Sequence, residues 1–103
     1  MISKLGALAA RLRAAVAGKP FGWASHTLPG GLDIVLSHNG ERWRLALRRE
    51  KVFPSDTEAA ILAQAFAVAE GAEPVRRQTG EEHPVTHRRL EWRIVEYNWR
   101  EAE

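Results

Sequence analysis

Leu32-Asp33-Ile34-Val35-Leu36-Ser37-His38-Asn39-Gly40-Glu41-Arg42-Trp43-Arg44-Leu45-Ala46-Leu47-Arg48-Arg49-Glu50 joins two alternating runs through Asn39-Gly40. In the first run Leu32, Ile34 and Leu36 fall on one side, with Asp33, Val35 and Ser37 on the other. In the second, Trp43, Leu45 and Leu47 alternate with Arg42, Arg44 and Arg48. Successive side chains of a strand point to opposite faces, so both runs predict strands, over 32–38 and 41–50, each with one apolar face. Asn-Gly between such runs is a strong hairpin signal, because a type I′ turn needs positive φ at both central residues.

Working outward, residues 21–28 predict a preceding strand with Phe21, Trp23 and Ser25 on one face. Pro29-Gly30-Gly31 closes it onto the next strand, since Pro presets its own φ and Gly accepts positive φ. The three strands form an antiparallel meander. Residues 2–17 predict a helix: Ile2, Leu5, Ala9, Leu12 and Val16 recur at spacings of three and four, and Gly18 and Pro20 end it. Ser55 and Glu58 form a capping box at the start of a second helix. This helix, over 57–70, is polar only at Gln64 between Ala59 and Ala69, so it is apolar nearly all round there, and it is expected to end at Gly71. Val75–Gln78 is a short candidate strand between loops, and 86–97 a long one. In the latter, Leu90, Trp92 and Ile94 share a face opposite Arg89, Glu91 and Arg93, yet Val95, Tyr97 and Trp99 continue on that other face. Either a bulge re-aims the strand or its end is covered on both sides. The expected fold is α+β, one domain over 1–103: an antiparallel sheet of 4–5 strands with two helices packed on one face, in the order α-β-β-β-α-(β)-β.

At 103 residues, with 45% apolar and 27% charged side chains, the chain falls in the globular class and outside the disordered one. The absence of cysteine excludes disulfides and thiolate metal sites. No run of 18 apolar residues is present, so no membrane partner is expected. Arg11 and Arg13 interrupt the apolar core that a signal peptide needs, and the expected location is cytoplasmic. Net charge is +2, but it is divided unevenly along the chain. Residues 1–54 carry nine Lys/Arg against three acids, a net of +6, whereas 55–103 carry six Arg against ten acids, a net of −4. Clustered positive charge steers and binds anions.

The chemistry-bearing features are few. Arg42, Arg44 and Arg48 line one strand face, and Arg89 and Arg93 of the late strand are candidates to join them. A planar guanidinium suits phosphate, and a row of them neutralises a nucleic-acid backbone. The competing reading is a solvated sheet face with Glu41, Glu50 and Glu91 as cross-strand partners. Trp23, Trp43 and Trp92 are expected in the core, and Trp99 is the candidate exposed anchor. His83 and His87 would lie about 13 Å apart on a strand, too far for one ion, so no metal site is expected. His26 and His38 are expected to be ordinary strand and turn residues. No nucleophile elbow, thiol or phosphate-cradling glycine loop is present, so neither catalysis nor a cofactor is expected. The order helix, three strands, helix is also that of double-stranded-RNA-binding domains. Here, however, the second helix opens with Asp56 and Glu58, which repel phosphate, so that assignment is not made.

These observations predict a small non-enzymatic binding module that contacts nucleic-acid backbone through Arg42, Arg44, Arg48, Arg89 and Arg93. The alternative is a protein–protein adaptor or small regulatory subunit, including a homodimer, that uses the apolar helix 57–70 and the C-terminal strand.

Overall fold

The computed structural model describes residues 4–17 and 19–100. The expected helix start at Ile2 and stop at Gly18 lie outside the described residues. Seven elements follow in order: α1 (Lys4–Val16), β1 (Gly22–Thr27), β2 (Asp33–His38), β3 (Arg42–Glu50), α2 (Asp56–Ala65), β4 (Val75–Glu82) and β5 (Arg89–Arg100). The strands form one antiparallel sheet in the order β1-β2-β3-β5-β4, so β5 inserts between β3 and β4 and leaves β1 and β4 as edges. Both helices cover one face, giving the α+β arrangement expected. Leu8, Ala9, Leu12 and Val16 of α1, with Ala59, Leu62 and Phe66 of the α2 region, join Ile34, Leu36, Leu45, Leu47, Val95 and Tyr97 in a single core. Among the described residues no helix is long and apolar enough to cross a membrane.

Small residues set where α1 lies. A Cβ on Gly22 would stand 2.6 Å from the Val16 carbonyl oxygen, so the end of α1 rests directly on the β1 backbone. The N-terminus of α2 is fixed by its capping box: the Glu58 amide donates to Ser55 Oγ, and the Ser55 amide donates to Glu58 Oε1. Glu58 also takes two hydrogen bonds from Arg49 of β3, at 3.0 and 2.7 Å. The Arg49 guanidinium, and after it the Ser55 amide, hold the Glu58 carboxyl down at about 2. At the other end, the Arg13 guanidinium of α1 donates to the Phe66 carbonyl at 2.8 Å and covers the Trp43 ring at 4.7 Å. A cation is well placed there, because carbonyls at a helix C-terminus carry partial negative charge.

Four local expectations change. The β2–β3 turn centres on Gly40-Glu41, one residue later than expected, and Gly40 alone takes positive φ. Asn39 acts through its side chain, whose Oδ1 accepts from the Glu41 and Arg42 amides. Shifting the loop by one residue moves the register by two, so every side chain keeps its face. Second, α2 ends at Ala65 and not at Gly71. Ala67 adopts φ +53, its amide donates to the Gln64 carbonyl, and the Val68 amide donates to the Ala63 carbonyl, which is a Schellman stop with alanine in the left-handed place. Third, β4 runs on through Thr79–Glu82, and the loop shrinks to 83–88. Fourth, β5 pairs without a bulge and its end is covered on one side only: Val95, Tyr97 and Trp99 are buried under the helices, whereas Asn98 and Arg100 on the other face are exposed.

Candidate nucleic-acid interface

Register assigns each arginine to a face. Directly paired residues of neighbouring strands share a face, so Trp43, Leu45, Leu47 and Arg49 point to the helices together with Trp99, Tyr97, Val95 and Arg93. The opposite, open face carries Trp23, Ser37, Arg44 and Asn98 in one row, Thr27, Asp33, Arg48, Ile94 and Arg77 in another, and Arg42 beside Arg100 at the end. The structure therefore brings Arg42, Arg44 and Arg48 together. Arg89 and Arg93 do not join them: both lie on the helix-side face, because β5 places odd-numbered positions there without interruption.

Most of the open-face arginines are already paired. Glu96 of β5 takes Arg44 on Oε2 at 2.5 Å and Arg77 on Oε1 at 3.0 Å, and its side chain is mostly buried between them. Asp33 takes Arg48 at 2.6 Å. The Arg48 guanidinium also covers the Trp92 ring at 4.4 Å, and the Trp92 indole donates to Glu81 at 3.0 Å. Arginine stems shield apolar surface while their heads stay hydrated, which accounts for Ile94, flanked by Arg48 and Arg77, being only 3% exposed. Glu41 takes Arg100, and Glu50 takes Arg88. Among the described residues the Arg42 side chain has no ion pair and no hydrogen bond.

The aromatic assignments partly invert. Trp43 is in the core as expected, and Trp99, expected outside, is buried with it, the two rings stacked at 6.3 Å with 13° between their planes. Trp92 is half-buried on the open face and not beneath the helices. Trp23 is 69% exposed and Phe21 80% exposed. The signal that would have found this is Gly22 and Ala24: the small residues mark the side on which α1 approaches, which leaves the large rings for the other. Phe21 and Trp23, with Ser37, Arg42, Arg44 and Asn98, line a shallow depression of about 350 Å³ at this corner.

The apolar surface expected to attract a protein partner is largely used within the chain. Val95, Tyr97 and Trp99 are buried, as are Ala59, Leu62 and Phe66, while Ile61 remains half exposed. His38 and His83 serve turns: His38 Nδ1 accepts from the Gly40 amide, and His83 Nδ1 accepts from the Val85 and Thr86 amides. His87 faces Glu82 at 2.7 Å. Compared with family models, with curated proteins and with solved structures, the chain matches none.

Proposed function

We propose that this domain is a small non-enzymatic module that binds nucleic-acid backbone through the Arg42 end of its open sheet face. The observation that carries the reading is Arg42 itself. Among the described residues its guanidinium has no partner, and it lines a depression together with the exposed rings of Phe21 and Trp23, on a sheet face where the neighbouring arginines are neutralised. A guanidinium without a protein acceptor is available to a phosphate oxygen at no cost of breaking an ion pair. Arg44, which lines the same depression but is held by Glu96, and Arg48, held by Asp33, contribute less. The helix-side Arg89 and Arg93 fall outside this surface.

The test is fluorescence anisotropy of labelled DNA and RNA oligonucleotides over a salt series. The wild type is expected to bind with a steep fall in affinity as salt rises. Arg42→Ala is expected to flatten the log–log slope by about 0.7–0.9, the loss of one phosphate contact. Binding that survives Arg42→Ala/Arg44→Ala/Arg48→Ala unchanged, or no binding at low salt, would overturn the reading.

A further inference from the structure

We infer that the nucleic acid taken by this surface is single-stranded, with a base stacked on Trp23 and its neighbour on Phe21. This rests on the reading above and names its ligand more closely. Two large rings two residues apart, both mostly in water, are an exception to how small domains dispose of aromatic area, and contiguous exposed apolar surface marks binding sites. Their exposure is built in. The strand period turns Trp23 away from α1, Phe21 just before the strand lines the same depression, and Gly22 cannot yield the helix side to anything larger without meeting the Val16 backbone.

The row across the sheet supplies what a base and its phosphate need. Trp23, Ser37, Arg44 and Asn98 stand on four adjacent strands and span about 14 Å at the usual inter-strand spacing. Among the described residues the Ser37 hydroxyl and the Asn98 amide make no protein hydrogen bond, so both are available to base edges, while Arg42 meets the backbone. Aromatic rings gain from nucleic acid only when a base face is unstacked, which a duplex does not offer. A duplex laid over the same face would also bring phosphates onto Asp33 and Glu50 toward its other end. A single strand at the Phe21–Arg42 corner avoids them.

The experiment compares a labelled twelve-nucleotide oligothymidine with a twelve-base-pair duplex at equal salt, using wild type, Trp23→Ala, Trp23→Phe and Arg42→Ala. The single strand is expected to bind at least tenfold more tightly than the duplex. Trp23→Ala is expected to weaken single-strand binding about tenfold without altering the salt slope, and Trp23→Phe to restore most of it. Because Trp23 is exposed, each variant is expected to keep the wild-type far-UV spectrum. Equal affinity for both oligonucleotides, or Trp23→Ala without effect where Arg42→Ala has one, would overturn stacking and leave the backbone reading standing. No binding to either at low salt would remove both. A Trp23-dependent dimer that binds neither oligonucleotide would overturn the inference and assign the patch to a second copy of the chain.

Discussion

Ala67 stops the second helix in a conformation that alanine pays for. At φ +53 its Cβ crowds the neighbouring carbonyl, a strain glycine does not have. The Schellman bonds from Ala67 to Gln64 and from Val68 to Ala63 hold it there, and they turn Phe66 into the core, where it is fully buried. Ala67→Gly is therefore expected to stabilise the domain by about 0.5–1 kcal/mol, the relief of strain less the entropy lost by a glycine. A higher urea midpoint with an unchanged slope is the supporting result. The same residue explains why the helix end was not legible: Gly71 offers the usual stop signal, and nothing in an Ala-Val-Ala run announces a left-handed alanine. Trp23 is the parallel case. Hydrophobicity alone sends it inward, and only the glycine and alanine that alternate with it give its direction away.

At the scale of elements, α2 is tied to the sheet by a charge at its first turn. Glu58 closes the capping box and receives the Arg49 fork of β3, and its carboxyl is held down at about 2 by Arg49 first and the Ser55 amide second. An unfolded glutamate titrates near 4.3. A carboxyl depressed on folding contributes stability above that value, and the contribution is lost as pH falls from about 4.3 through about 2. Glu58 is partly open to solvent, so screening reduces its worth to about 1 kcal/mol. Glu58→Gln keeps an oxygen for the Ser55 amide but loses the charge. Its unfolding free energy is expected to lie about 1 kcal/mol below wild type at pH 7, with the gap closing between pH 4 and 2. A gap that persists at pH 2 would show that the charge is not the cause. The capping box was legible because its two residues are three apart. The Arg49 contact was not, since it depends on strand register. The extension of β4 was hidden for a related reason: Thr79-Gly80-Glu81-Glu82 has no apolar alternation of its own, and its pairing is supplied by β5.

For the whole molecule, the division of charge along the sequence does not survive folding. The basic first half and the acidic second half are interleaved because β5 inserts beside β3, bringing Glu96 against Arg44, while Glu58 on α2 meets Arg49. The arginine row was legible from period-two alternation. Its neutralisation was not, since Glu96 lies 52 residues from Arg44 and only the sheet order makes them neighbours. This makes Glu96 the residue that limits the open face as an anion surface. Glu96→Gln keeps the side-chain shape, releases Arg44 and Arg77, and raises the formal net charge from +2 to +3. Both arginines are partly solvated, so releasing them is expected to cost no more than about 2 kcal/mol of stability. Arg44 lines the depression beside Trp23, so it is positioned to take a further phosphate. Single-strand affinity at low salt is therefore expected to rise about tenfold, with the log–log salt slope steeper by about 0.7. An unchanged slope would mean that the released Arg44 meets no phosphate, and the contact surface would then shrink to Arg42 and the two rings.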